Sequence, residues 1–223
     1  MVQSAIGRVL DLALPARCPG CGVEGAPICA TCAPALDARL ERAPGAPIGL
    51  ASDIPAPLVQ LEWCAPFEGV VRRALHHLKY DGEQRLARPL GQAIARRWRR
   101  AGAGGEWLVP VPVHADRARV RGFDQAELIA IEAAAALGLP AVRLLERGRA
   151  TIAQYELGHD ERAANVSGAF RLRPDVPPTA VTDRWIVLVD DVVTTGATLA
   201  ACAEPLMAAG ALAVSAATVA RER

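Results

Sequence analysis

The 223-residue chain is short of net charge, of lysine and of long apolar runs, and each shortage excludes something. Its 25 basic side chains are matched by 24 acidic ones, for a formal charge of +1. A nucleic-acid coat or an acidic tail protein would be lopsided, so neither class fits. No stretch approaches the roughly 18 uncharged apolar residues of a membrane-spanning helix. Met1 to Pro15 places Val2, Ile6, Val9, Leu10, Ala13 and Leu14 at helical spacing, but Arg8 and Asp11 interrupt the apolar core that a signal peptide needs. We therefore expect a short amphipathic helix packed on the body, no membrane insertion, and a cytoplasmic protein. Internal repeats of useful length are missing too, and nothing in the sequence sets an oligomeric state. Of the 25 basic residues 24 are arginine, and there are 45 alanines. This bias is that of a GC-rich genome, so abundant arginine is not in itself a sign of binding. Lys79 is left as the one lysine.

What is present begins with hydrophobicity. At 52% hydrophobic residues the chain lies far from the composition of disorder and can bury one good-sized core with a small appendage, or two modest ones. Four of its six cysteines fall between positions 18 and 32, as Cys18-Pro19-Gly20-Cys21 and Cys29-Ala30-Thr31-Cys32. In a cytoplasmic protein such pairs point to metal before disulfide. Four thiolates suit tetrahedral zinc, each pair giving two ligands from one tight turn. Gly22, Gly25 and Pro27 can turn the short spacer back. A redox or iron–sulfur site, or cysteines serving as small apolar residues, are the other readings. A zinc ion bound by Cys18, Cys21, Cys29 and Cys32 would be structural, with no open position for chemistry. Cys64 and Cys202 stand alone in apolar surroundings and are expected in the core.

After the cysteines a helical stretch is expected from Pro34 to Arg42. Ala43 to Pro57, with four prolines and two glycines, reads as a linker. Beyond it strands and helices alternate: strand Leu58 to Pro66, helices Phe67 to Tyr80 and Arg85 to Ala101, and strand Trp107 to Val113. Helix Gln125 to Leu137, closed by Gly138 and Pro140, and strand Ala141 to Leu145 follow. A long polar loop spans 148–167. Strand Trp185 to Val189, helix Thr198 to Ala209 and strand Ala211 to Val219 complete the order. This alternation predicts an α/β fold with a parallel sheet flanked by helices. The expected division is 1–57, an N-terminal helix, ribbon-like cysteine module and linker, and 58–223, the α/β domain.

The sharpest motif is Ile186-Val187-Leu188-Val189-Asp190-Asp191-Val192-Val193-Thr194-Thr195-Gly196-Ala197-Thr198. A buried strand ends in two carboxylates, and a hydroxyl- and glycine-bearing turn opens a helix. Ligands of parallel sheets bind beyond the carboxyl ends of strands, where this turn must lie. Thr194, Thr195, Gly196, Ala197 and Thr198 would wrap a phosphate with amides and hydroxyls at the positive helix end. Asp190 and Asp191 suit the hydroxyls of an attached sugar, or a hydrated Mg2+ beside the phosphate. The loop is no Walker A, since no Gly-Lys-Thr or Gly-Lys-Ser follows.

This stretch resembles the 5-phosphoribosyl-1-pyrophosphate (PRPP) motif of type I phosphoribosyltransferases. The chain is similar to the ComF/GntX group of that superfamily from the cysteine module to its end. The likeness includes Leu78-Lys79-Tyr80, Val109 to His114, Arg117-x-Arg119-x-Arg121-Gly122-Phe123-Asp124-Gln125, Thr151, Gln154, Arg162, Asn165 and Gly168-Ala169-Phe170. Asparagine is frequent in that group where this chain has Asp124. The resemblance implies a type I phosphoribosyltransferase-like sheet, with Asp190 and Asp191 at the ribose 2- and 3-hydroxyls and Thr194 to Thr198 at the 5-phosphate. It implies a pyrophosphate loop over Val111 to His114, including Val113, a flap over 148–165 that closes on PRPP, and Mg2+ accompanying PRPP. The implied activity is phosphoribosyl transfer with pyrophosphate release. A non-catalytic PRPP- or nucleotide-binding role in DNA uptake is the other reading, its zinc module docking single-stranded DNA or a competence-machinery protein.

Arg117, Arg119 and Arg121 alternate, so an extended segment would put all three on one face, suited to pyrophosphate or simply a solvated basic loop. Arg162, with Arg147 and Arg149, could bring positive charge to a closing flap. Gln154 and Asn165 could fix that flap. Lys79 ends an apolar helix, where a compact ammonium could serve the ligand or be a chance survivor. His114 stands in the expected pyrophosphate turn. His76 and His77 point in different directions and share no metal. The run Arg96-Arg97-Trp98-Arg99-Arg100 resembles a nucleic-acid patch, but cations also belong at a helix C-terminus, which is the preferred explanation.

Overall fold

A computed structural model describes residues 15–43, 54–102, 104–113, 122–148 and 168–222. Its elements in chain order are β1 (Gln60–Pro66), α1 (Gly69–Tyr80), α2 (Ala87–Ala101), β2 (Trp107–Pro110), α3 (Gln125–Leu137), β3 (Leu145–Arg147), β4 (Phe170–Leu172), β5 (Trp185–Val193), α4 (Ala197–Ala208) and β6 (Ala213–Arg221). Short 3-10 turns occupy Ala33–Asp37, Gln84–Leu86 and Pro178–Ala180.

Apolar alternation decides the centre. Successive side chains of a strand leave on opposite faces. In β5, Val187 and Val189 join the core under α1, α2 and α3, while Ile186 and Leu188 join the core that includes Leu199, Cys202 and Leu206 of α4. A strand buried on both faces needs cover on both, which is the setting of a parallel sheet. The four main strands run in the order β1-β6-β5-β2 and all their pairings are parallel. The α/β class read from the sequence is thus the one observed. Helices α2 and α3 cross at Gly91, where an added Cβ would stand 2.7 Å from the backbone of Ala133 and Ile129. Alanine-rich α3 offers the matching shallow surface, with Ala126, Ala130 and Ala133 fully buried.

Several boundaries differ from the expected ones, each for a local reason. Strand β2 stops at Pro110, since Pro110 and Pro112 carry no N–H for the ladder. Ala141 makes only an isolated bridge to Leu108, and the next ladder is β3 with β4, antiparallel and three residues long. The helix expected over Pro34 to Arg42 is the single 3-10 turn Ala33–Asp37. Strand β5 continues to Val193, so Asp190 and Asp191 are strand residues, with Asp190 opposite Thr218 of β6. The helix expected in 1–14, most of the linker and most of the 148–167 loop lie outside the described residues.

The arginine run of α2 divides: Arg99 and Arg100 lie in its last turn, as the helix-end reading expects, while Arg96 and Arg97 find partners elsewhere in the chain. Arg97 is buried and donates to Glu62 of β1 at 2.7 and 2.8 Å and to the carbonyls of Arg39 and Arg42 at 2.9 and 2.6 Å. Arg96 grips Asp37 through both carboxylate oxygens, and Arg99 donates to the carbonyl of Ala136. Arg39, itself buried, donates to the carbonyl of Trp63 and lies 4.0 Å over its ring. These charges seat the segment that follows the cysteines on the body of the sheet, and Leu36 of that segment enters the α1–α2 core.

Candidate functional site

Two sites emerge, one around the cysteines and one at the carboxyl edge of the sheet. In the first, Cys18, Cys21, Cys29 and Cys32 bring their sulfurs within 4.8 Å of one another, with Cys21 and Cys29 3.5 Å apart. Tetrahedral ligands at the usual zinc–sulfur length lie about 3.8 Å apart, so the four could hold one zinc ion. Each pair sits on a turn: Gly22 N–H returns to the Cys18 carbonyl and Cys32 N–H to that of Cys29. Gly20 is required by space, since a Cβ there would lie 2.4 Å from the Cys32 sulfur. Burial opposes ionisation of Cys18, but backbone N–H groups of Cys29, Cys21 and Gly20 outweigh it and bring its pKa down to about 6. Cys32 is pushed up to about 12 by desolvation and by hydrogen bonds with the other sulfurs. Four thiols gathered this closely cannot all ionise without a cation among them, which is the chemistry of a metal site. Arg73 of α1 fastens the first turn by donating to the carbonyls of Pro19 and Gly20.

The second site follows from the sheet order. Because β2 and β5 are neighbours, with Pro110 opposite Val189, the end of one lies beside the acidic end of the other. Asp190 and Asp191, adjacent on a strand, depart on opposite sides. Asp191 turns toward α1 and forms an ion pair with Lys79, the two side chains being 8% and 21% exposed. Its other oxygen accepts from the N–H of Val192 at 2.7 Å. Asp190 accepts from the N–H of Asp191 at 2.8 Å and faces α4, where its charge adds to burial in pushing up the Cys202 thiol. Burial first, and then the charge of Asp191, hold the Asp190 carboxyl well above its ordinary value, with Lys79 pulling the other way.

Beyond the strand, Thr194 and Thr195 are exposed, and Gly196 has φ 82° at the N-cap of α4. That left-handed turn favours glycine, and space demands it as well, because a Cβ would stand 2.7 Å from Pro55. Thr195 Oγ1 accepts from the Ala197 N–H at 3.3 Å, and Thr198 is half-buried in the first turn of α4. On the neighbouring strand end, Asp124 accepts from Val113 N–H at 3.2 Å while its other oxygen caps α3 through Ala126 and Glu127. Burial raises the Asp124 pKa, and the three amides oppose it. This gives Asp124 a task the sequence did not disclose: it ties the strand end bearing Val113 to the start of α3. An asparagine could still cap the helix, but its amide nitrogen could not accept from Val113.

Of the residues singled out in the sequence, the structure brings together Lys79 and Asp191, and sets Asp190, Val113 and Thr194 to Thr198 on the same sheet edge. Arg147 stands over the Phe170 ring at 5.4 Å. His114, Arg117, Arg119, Arg121, Arg149, Thr151, Gln154, Arg162 and Asn165 lie outside the described residues. His76 stacks on Tyr80 and His77 pairs with Asp81, so neither reaches this edge. A divalent ion placed directly on the carboxylates would compete with groups already there: Asp191 has one oxygen on an amide and the other, which accepts no hydrogen bond, beside the Lys79 ammonium, and one Asp190 oxygen accepts from an amide. Among the described residues no helix is long and apolar enough to cross a membrane.

No family model matches the chain. It is similar to the DNA utilization protein YhgH of Salmonella typhi, 32% identical over 202 residues, or 84% of this chain and 87% of that one. The protein of the same name from Escherichia coli K12 is 31% identical over 204 residues, covering 88% and 80%. Competence protein F of Haemophilus influenzae is 35% identical over 95 residues, 42% of this chain and 41% of that one. Among solved structures, the glutamine PRPP amidotransferase from B. subtilis is 19% identical with a TM-score of 0.41, over 60% of this chain and 26% of that one.

Proposed function

The chain belongs to the ComF/GntX family, with DNA utilization protein YhgH and competence protein F among its relatives, and from that premise we propose that it binds PRPP and transfers its phosphoribosyl group. The observation that carries this reading is the end of β5: two carboxylates at the carboxyl edge of a parallel sheet, then a glycine turn opening α4. The exposed Thr194 and Thr195 hydroxyls and the first amides of α4 would take the 5-phosphate, aided by the positive end of the helix. Asp190 and Asp191 accept hydrogen bonds and would take the ribose hydroxyls. Val113 and the residues after it, with His114, Arg117, Arg119 and Arg121, would receive the pyrophosphate. Arg162 would arrive with the flap and exclude water as it closes. Breaking the bond at C1 through an oxocarbenium-like centre asks for positioning and charge stabilisation and needs no nucleophilic side chain. Zinc on the four cysteines would hold the N-terminal module together, and the reaction would take place in the cytoplasm.

The relatives' names favour a second reading, in which the protein binds PRPP or a nucleotide without turnover and serves DNA uptake, its cysteine module docking single-stranded DNA or a protein. The test is calorimetric titration with PRPP, with and without Mg2+, for the wild type and for Asp190→Asn/Asp191→Asn. Wild-type binding lost in the double variant, with pyrophosphate released when nucleobases are supplied, is the result expected. Binding without release against any base would favour the accessory reading, and no binding at all would defeat both. Metal analysis checks the module separately, with about one zinc per chain expected.

A further inference from the structure

We infer that Lys79 is a cation built into the sugar-phosphate site, so that a ribose phosphate lacking the pyrophosphate binds there without any divalent metal. The inference rests on the proposed function and concerns what neutralises the acidic end of β5. Two adjacent carboxylates facing a ligand with a phosphate need a positive charge close by. A divalent ion is the obvious source, but the carboxylates are poorly disposed for one. Asp191 is almost wholly buried, one oxygen accepting from the Val192 amide and the other, without a hydrogen bond, in an ion pair with the Lys79 ammonium, and Asp190 already accepts from the Asp191 amide. An entering ion would have to displace that ammonium and strip its own water, which magnesium does reluctantly.

The lysine is held where it stands. It is the penultimate residue of α1, and Val71, Ala74, Leu75 and Leu78 of that helix are buried in the core. The side chain therefore leaves a fixed backbone and retains only a partial opening to solvent. An ammonium has three donors. It meets Asp191 as an ion pair rather than through a hydrogen bond, which leaves donors for a ribose hydroxyl or an incoming phosphate oxygen. An arginine would bring a planar fork on a longer stem, a different shape for the same charge. This is the one basic position of the chain that is not arginine. A neutral vicinal diol with a 5-phosphate would thus find acceptors in Asp190 and Asp191, donors in the α4 turn, and the balancing charge in Lys79.

The experiment is calorimetric titration of the 223-residue chain with ribose 5-phosphate, in magnesium-free buffer without chelator, so that zinc on the cysteines stays in place, and in millimolar Mg2+. The wild type is expected to bind equally well, within about twofold, under both conditions. Lys79→Met is expected to lose roughly ten- to hundredfold in affinity without metal, the worth of a hydrogen bond to a charged group, and to recover part of it with Mg2+. Recovery would show that the carboxylates accept an external cation once the internal one is gone, which a purely structural role would not produce. Wild-type binding of ribose 5-phosphate that requires Mg2+ overturns the inference while leaving the proposed function standing. So does Lys79→Met binding as the wild type does without metal. Should that variant fail to fold, the wild-type comparison alone decides. If the wild type binds neither ribose 5-phosphate nor PRPP in any condition, the proposed function falls and this inference with it.

Discussion

Asp190 shows how one residue can oppose the fold it belongs to. Its carboxyl is held above its ordinary pKa by burial and by Asp191, so the folded chain retains the proton more tightly than the unfolded chain. The stability tied to that proton is fully present below the ordinary carboxylate range and is lost as pH rises through the raised folded value. At neutral pH, where the unfolded chain carries this carboxyl ionised, the raised value is therefore a cost borne by the ligand-free protein. Asp190→Asn should raise the melting temperature at pH 7 and flatten the gain that the wild type shows on mild acidification. The amide oxygen can still accept from the Asp191 N–H, so the local backbone keeps its partner. The same variant should bind ribose phosphates more weakly, a trade of function for stability common at binding sites. Thermal melts across pH check the first part, and a fall in melting temperature at pH 7 would count against it.

At the scale of elements, the clearest case is the buried pair between α2 and β1. Arg97 and Glu62 are each 2% exposed, and the guanidinium also gathers the carbonyls of Arg39, Leu40, Arg42 and Ala43. Removing one partner of a buried pair leaves an uncompensated charge, at a cost of about 3–5 kcal/mol. Arg39, 3.6 Å from Glu62, softens this, so Arg97→Met should cost about 3 kcal/mol in denaturant unfolding. Glu62→Leu should cost at least as much, because it strands both Arg97 and the buried Arg39; if it costs much less than Arg97→Met, the pair is not what holds these elements. This contact was illegible in the sequence, because an arginine run looks the same whether its partners are phosphates, water or carbonyls some 55 residues away. What could be read was local. Helix α3 runs from Gln125 to Leu137 as its alanine-rich run and stop residues indicated, with Gly138 left-handed; its cap, Asp124 receiving two amides, emerges only in the structure. The alternation of strands and helices announced a parallel sheet, and the buried run of β5 with its acidic end and glycine turn was visible as one motif. The three-residue strands β3 and β4 were beyond reach, since so short a ladder depends on Phe170 returning to Arg147 and leaves no period in either segment. The partner of Lys79 was hidden for the same reason: its oddity could be seen in the composition, but Asp191 lies more than a hundred residues away.

For the whole molecule, helix α1 is the part that connects the two sites. Arg73 on that helix donates to the carbonyls of Pro19 and Gly20, within the first cysteine turn, and Lys79 further along it reaches Asp191. The described part of the module, residues 15–43, contributes little core of its own beyond Leu36, so its order would depend on its seating and on the zinc that its four sulfurs could hold. Small metal modules take most of their folding free energy from the ion. Stripping zinc with a strong chelator should therefore speed hydrogen exchange in residues 15–43 and in α1, while the central strands β2, β5 and β6 keep their protection. Because the loosened helix carries Lys79, ribose 5-phosphate affinity should fall as well, by about two- to thirtyfold for a coupling of ~0.5–2 kcal/mol. Lys79→Met isolates the route: with the ammonium already gone, chelation should weaken its binding much less than that of the wild type. Equal losses in both proteins would mean that the module acts on the site by some path other than α1. A chelated wild type that binds unchanged would mean that the two ends of the helix are energetically independent.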